Sequence, residues 1–307
     1  MSLGRAFQIG SHGLTIPAVG LGTWKSQPGE VRNAVKVALD AGYKHIDCAW
    51  AYGNENEVGQ GIKDAGVNRE KIWVTSKVFN GNHRPEGVHE ALNKTLSDLK
   101  VGYLDLYLMH WPVAWKTGPS DGKKPVLDEG FMGDEGILKT WRVLEELVKD
   151  GKVKHIGVSN FTRSKTKALL EKATIKPAVN QVELNLHCAQ YDLVKWHQES
   201  GVLLEAYSPL GSTGAPQLSD PVVVELAKKH KVNPANILIS WQVARGCVVL
   251  PKSVTPQRIR SNFEDVELSP EDVNKLEKRA TEIGTKRTVD PSEGWGVPDL
   301  WEDKGFP

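Results

Sequence analysis

Cysteine is scarce in this chain. Cys48, Cys188 and Cys247 are the only three, odd in number and far apart. That pattern excludes a disulfide framework and offers no zinc-ligand spacing, so neither a disulfide nor a metal is expected. Cys188 and Cys247 read as small buried hydrophobes, while Cys48 directly follows Asp47 near a candidate site but has no matched base for a catalytic thiolate. Net charge is equally slight, at +1. Such a balance argues against a nucleic-acid binder relying on bulk charge. No apolar run is long enough to span a membrane. The opening Met1-Ser2-Leu3-Gly4-Arg5 lacks the apolar core of a secretory signal. The expectation is a cytoplasmic protein with no membrane partner. Nucleotide loops are missing too. Gly20-Leu21-Gly22 lacks the third glycine and the helix start of a GxGxxG turn, and Gly118 to Lys124 is not a Walker-type phosphate loop.

What is present is an alternation of strand-like and helix-like segments. Leu104-Asp105-Leu106-Tyr107-Leu108-Met109 is an apolar run, interrupted by one acid, that stops at His110-Trp111-Pro112. It reads as a strand buried on both faces, as in a parallel sheet. Ala18 to Trp24, Lys44 to Asp47, Ile72 to Lys77, Val153 to Val158, Ala178 to Val182, Val202 to Tyr207 and Cys247 to Leu250 read similarly. Helical spacing separates them, for example over Val31 to Ala41, Glu55 to Lys63, Pro85 to Leu99 and Ile137 to Asp150. This is the pattern of the α/β class, and specifically of a (β/α)8 TIM barrel. A doubly wound open sheet is the competing architecture. Phe7 to Ile16 reads as an N-terminal β-hairpin, its turn bracketed by Gly10 and Gly13. No linker divides the chain, so residues 1–307 are expected to form a single barrel domain. Trp111 to Gly136 reads as a long loop, and Gly284 to Pro307 as a tail without clear periodicity.

Barrel enzymes keep their chemistry at the C-terminal ends of the strands. Asp47, Lys77 and His110 end three successive strands, and Tyr52 follows Asp47 closely. Converging, they form a plausible acid-base site. A carboxylate keeps the lysine charged, the ammonium favours the tyrosine's phenolate, and a neutral histidine orients a carbonyl oxygen. Taken singly, the aspartate reads as well as a cap, the lysine as solvent-facing, and the tyrosine and histidine as packing residues.

The sequence resembles the aldo-keto reductase family over essentially its whole length. Gly42-Tyr43-Lys44-His45-Ile46-Asp47-Cys48-Ala49 through Tyr52-Gly53-Asn54-Glu55 is similar to the first signature of that family. Leu106 to Pro112 is similar to its histidine-bearing strand, Gly157-Val158-Ser159-Asn160-Phe161 to its amide-binding stretch, and Pro251-Lys252-Ser253 to its phosphate motif. The resemblance implies NADPH-dependent reduction of aldehydes, and of some ketones or sugars, to alcohols. It places the catalytic tetrad at Asp47, Tyr52, Lys77 and His110, with Tyr52 as proton donor.

By the same resemblance, Ser159, Asn160 and Gln181 face the nicotinamide carboxamide and Tyr207 stacks on its ring. Ser208, Leu210 and Ser212 belong to the loop over the pyrophosphate. Lys252, Ser253, Thr255 and Arg258 take the 2′-phosphate end and Asn262 the adenine, so NADPH is expected over NADH. Thr23, Trp24 and Asp47 complete the cofactor set. Trp24, Trp50, Phe79, His110, Trp111 and Trp295 are the expected substrate wall, with Trp115 and Phe131 in variable segments. Many family members carry histidine where Trp50 stands and tryptophan where Phe79 stands, which leaves the substrate open. Gln190, Tyr191 and Trp301 receive no site role. A monomer acting on a small carbonyl or polyol is expected. The alternatives are an NADP-dependent polyol dehydrogenase and a non-catalytic NADPH-binding subunit of a channel complex.

Overall fold

The computed structural model describes residues 3–9, 14–119 and 123–301. Eight parallel strands form its central sheet: Leu21–Gly22, His45–Asp47, Trp73–Val78, Leu104–Met109, Val153–Ser159, Val179–Glu183, Leu203–Tyr207 and Val248–Leu250. They follow one another around the sheet in chain order. Closure comes from backbone between the first and last strands. Gly20 N–H donates to Val249 O at 2.9 Å, Val249 N–H to Ala18 O at 2.8 Å, and Gly22 N–H to Pro251 O at 3.0 Å. The sheet is thus a barrel, not an open doubly wound sheet. The first strand is shorter than its apolar run suggests, because its outer residues make only isolated bridges across this seam.

Strand formation follows burial. Every residue from Leu104 to Met109 is buried. Each large apolar side chain there contributes about 1.5–3 kcal/mol by leaving water. Asp105 is tolerated in that run because its Oδ2 accepts from Val74 N–H at 3.0 Å and pairs with Arg69 at 2.7 Å. Outer helices cover the barrel with one apolar face each. Val31–Asp40 buries Val31, Ala34, Val35, Ala38 and Leu39, which recur at helical spacing.

The N-terminal hairpin pairs Ala6–Ile9 with Leu14–Pro17, and its turn at Gly10 to Gly13 lies outside the described residues. Ile9 and Ile16 pack with Trp73, Leu106, Leu108, Val179, Val248 and Leu250. The hairpin expected from the sequence is thus present, and it plugs the barrel. The expected long loop after Trp111 is only partly irregular: Trp115–Thr117 pairs with Val126–Leu127 as a second hairpin. The helix after it begins at Gly133, earlier than the periodicity indicated. The tail also holds a short helix at Ser292–Trp295.

One glycine shows how closely the wall is packed beneath the rim. A methyl on Gly157 would stand 2.6 Å from Val179 O and 2.7 Å from a Leu108 methyl. Gly157→Ala is expected to cost about 1–3 kcal/mol by forcing the fifth and sixth strands apart. Urea unfolding of the variant measures this, and an unchanged midpoint would show that the wall gives freely.

Candidate active site

The C-terminal strand ends stand in register around the rim. Gly22 pairs with Asp47, Asp47 with Thr75, Ser159 with Gln181, and Glu183 with Tyr207. Gly22 also bridges to Lys252. His110 is tied just past its strand by donating its backbone N–H to Val78 O at 3.0 Å. The sheet itself thus gathers residues that are far apart in sequence.

Lys77 is fully buried. Its ammonium donates to Asp47 Oδ1 at 2.7 Å, to the Cys48 carbonyl at 2.7 Å and to Tyr52 Oη at 3.4 Å. Burial alone would lower its pKa, but Asp47, then Tyr52 and Glu205, raise it, and the net shift is upward. Lys77 is therefore a fixed cation. Tyr52 sits on the single turn Trp50–Tyr52, with its ring 5.9 Å from that of His110. Burial pushes the Tyr52 phenol up to about 12, against the downward pull of Lys77. The ammonium does pull toward the phenolate, as expected, but loss of water outweighs it and the net shift is upward. At neutral pH Tyr52 is a hydroxyl with a proton to give. Burial first, then Lys77 and His83, hold His110 well below its ordinary value, so it is a neutral imidazole. Its Nδ1 has no hydrogen-bond partner among the described residues.

Beside the tetrad lies a polar platform. Ser159 Oγ donates to Gln181 O at 2.8 Å, Asn160 Nδ2 to His110 O at 3.0 Å, and Tyr207 Oη to Asn160 Oδ1 at 2.8 Å. Gln181 Nε2 donates both to Asp47 Oδ1 at 2.9 Å and to Glu205 Oε2 at 2.7 Å. Several non-glycine residues here hold left-handed backbone: Lys25 (φ 55°), Asn160 (φ 61°), Ser208 (φ 50°) and Ser212 (φ 63°). Such strain persists where surrounding structure enforces it, and it clusters at ligand sites. Leu210 lies between the two strained serines and is half-buried.

Farther round the rim, Lys252 donates to Lys25 O at 3.0 Å, and Ser253 Oγ accepts from Thr255 N–H at 3.2 Å. Arg258 is exposed and has no ion-pair partner among the described residues. This donor set, with a free guanidinium, a half-buried ammonium and hydroxyls, suits a phosphate ester. Asn262 follows Arg258 by one turn on the helix Pro256–Asn262 and is only 5% exposed. Thr23 is also buried, its hydroxyl spent on Asp47 O at 2.8 Å. It braces the loop rather than presenting a free donor.

The expected aromatic wall assembles around the tetrad. Trp24 lies 6.5 Å from Tyr52, Phe79 5.5 Å from His110, and Trp50 6.4 Å from Phe79, by ring centroids. Trp295 meets Trp111 at 4.9 Å and Trp115 at 5.0 Å, and Trp115 meets Phe79 at 5.1 Å. Phe131 lies outside this chain of contacts, under the cations of Arg84 and Lys139.

The sequence reading missed what holds the tail in place. Glu183 accepts from the backbone N–H groups of Thr288 and Val289 and from the Thr288 hydroxyl. Trp301, unassigned from sequence, packs 5.9 Å from Trp111 and donates to Asp290 Oδ1 at 2.9 Å. Gln190 accepts from Arg287 at 2.9 Å. These contacts fix the segment that carries Trp295. Glu205 and His45, buried beneath the platform, were also missed. A signal existed for Glu205: strand alternation puts it on the same face as Tyr207.

Residues 18–280 match the Aldo/keto reductase family. The chain is similar to an aldehyde reductase of Saccharomyces cerevisiae, at 45% identity over 92% of this chain and 93% of the relative. It is also similar to the glycerol 2-dehydrogenase (NADP(+)) of the same yeast, at 44% identity over 91% and 92%. A Bombyx mori aldo-keto reductase solved in complex with NADP superposes with a TM-score of 0.84 at 34% identity, covering 95% of this chain and 98% of that one.

Proposed function

The chain belongs to the aldo/keto reductase family, and from that premise and the geometry of the rim we infer an NADPH-dependent reductase of aldehydes and ketones. The observation that carries the mechanism is the buried contact set joining Asp47, Lys77 and Tyr52. When bound, NADPH supplies a hydride to the carbonyl carbon. Tyr52 gives its hydroxyl proton to the carbonyl oxygen as charge develops there, and the alcohol results. The phenolate left behind is stabilised by Lys77 until solvent returns a proton. Neutral His110 donates a hydrogen bond to the same oxygen and orients it. Trp24, Trp50, Phe79, Trp111 and Trp295 keep water from the developing alkoxide. Asn160 and Gln181 hold the carboxamide end of the cofactor, and Tyr207 supports the ring.

Lys252 and Arg258 read the 2′-phosphate in this proposal. Arg258→Ala is expected to weaken NADPH binding by about 1.5–3 kcal/mol while leaving NADH nearly unaffected. Fluorescence titration with both cofactors checks this, and equal losses would show that Arg258 does not discriminate.

A polyol dehydrogenase is the second reading, favoured by the likeness to the yeast glycerol 2-dehydrogenase. One experiment separates the possibilities: specificity constants in both directions for glyceraldehyde, pentoses, uronic acids, aryl aldehydes and their alcohols. A dominant alcohol oxidation selects the second reading. No turnover of any reactive aldehyde, with NADPH still bound, selects a binding role. We place the enzyme in the cytoplasm, a reading supported by its buried cysteines, which form no disulfide among the described residues, and we propose a monomer. Fractionation and size-exclusion chromatography test both parts.

A further inference from the structure

Beneath the tetrad, the barrel holds a carboxylate that the mechanism above does not use. Glu205, on the Leu203–Tyr207 strand, is fully buried and in register with Gln181. The Gln181 amide nitrogen donates to Glu205 Oε2 at 2.7 Å and to Asp47 Oδ1 at 2.9 Å. A carboxamide nitrogen carries one hydrogen for each, so the amide bridges two carboxylates and has no donor left. Only the Gln181 oxygen remains to meet a cofactor.

The surroundings of Glu205 leave it without a counter-charge. Among the described residues its Oε1 has no hydrogen-bond partner, and His45 Nε2 is 3.9 Å away. Burial depresses His45 to about 3, so the imidazole facing Glu205 is neutral. Lys77 is spoken for by Asp47 at 2.7 Å. On the other neighbouring strand, Glu205 pairs with apolar Val248. Asp47, Lys77 and His45 are thus the ionisable groups around it, and the first two already cancel. Burial and Asp47 together push the Glu205 carboxyl up to about 8.

We propose that Glu205 sets the charge under the nicotinamide platform: neutral, it leaves one carboxylate there, and ionised, it adds a second that favours the oxidised cofactor over the reduced one. The physical reason is simple. The oxidised nicotinamide ring is cationic and the reduced ring is neutral, so a buried negative charge linked through Gln181 discriminates between them. By linkage, binding of NADP favours loss of the Glu205 proton and binding of NADPH does not. Glu205 is a positioning residue that acts through Gln181, and the proposal rests on the reading of Gln181 and Tyr207 as the cofactor platform.

The test is the ratio of NADP to NADPH dissociation constants, measured by fluorescence titration between pH 6.5 and 9.5. Wild-type protein should favour NADP more strongly as pH rises, by at least about fivefold, the low end of ordinary coupling between sites. Glu205→Gln keeps an acceptor for Gln181 and removes the titration, so its ratio should stay flat. Infrared pH-difference spectra of the cofactor-free protein give a second readout. A protonated-carboxyl band should be present at neutral pH and absent in Glu205→Gln. A flat wild-type ratio with both cofactors bound, or a band that survives the substitution, overturns the proposal alone. Failure of either cofactor to bind overturns the reductase reading and this proposal with it.

Discussion

Tyr52→Phe is expected to lower single-turnover hydride transfer by at least about 10²-fold, the lower end for a positioned general acid. The substitution removes one oxygen and little else. The ring keeps its neighbours Trp24 at 6.5 Å and His110 at 5.9 Å, and Lys77 stays 5.1 Å over its face. Lys77 also keeps Asp47 and the Cys48 carbonyl, so its charge remains paired. Cofactor affinity should therefore hardly move. With its phenol pushed up to about 12 by burial, Tyr52 carries its proton throughout the neutral range and can donate it. His110, held far below its ordinary value, has no extra proton to offer there. Stopped-flow transients with an aldehyde, alongside cofactor titration, give the answer. Near-normal transfer with intact binding would remove Tyr52 from the acid role, and solvent would then have to supply the proton.

The barrel was legible because parallel strands buried on both faces read as apolar runs, and because polar or aromatic residues stop them at one rim. The tetrad was legible from those stops together with the family motifs. What failed to show was whatever depends on distant partners. Asp105 weakened an otherwise clear strand until Val74 and Arg69 were seen to satisfy it. The Trp115–Thr117 hairpin is too short to display a period. Glu183 looked like an ordinary strand end, since the groups it binds lie more than a hundred residues later. The charge of Lys77 beside Tyr52 is visible in the sequence motifs. Burial, which sequence does not give, decides the direction of the Tyr52 shift. Glu205 escaped for the same reason: its partners come from three strands, and only the closed barrel brings them together.

Lys77→Met should both unfold the protein more easily and silence it, and the two effects have separable causes. Asp47 is 3% exposed and its carboxylate faces the Lys77 ammonium at 2.7 Å. Removing the cation leaves a buried, unmatched charge. Breaking such a pair from one side costs about 3–5 kcal/mol. Glu205 is another acid, and Gln181, which already donates to Asp47 and to Glu205, has no further donor to offer. Equilibrium denaturation near neutral pH should show this loss. The double variant Asp47→Asn, Lys77→Met takes away both charges, and neutral replacement of a buried pair is often nearly without cost. It should recover most of the stability. It should not recover turnover, because Tyr52 would give up its proton with no cation to stabilise the phenolate. Recovery of both together would mean that Lys77 serves the fold alone, and recovery of neither would mean that the strand ends collapse without their ion pair.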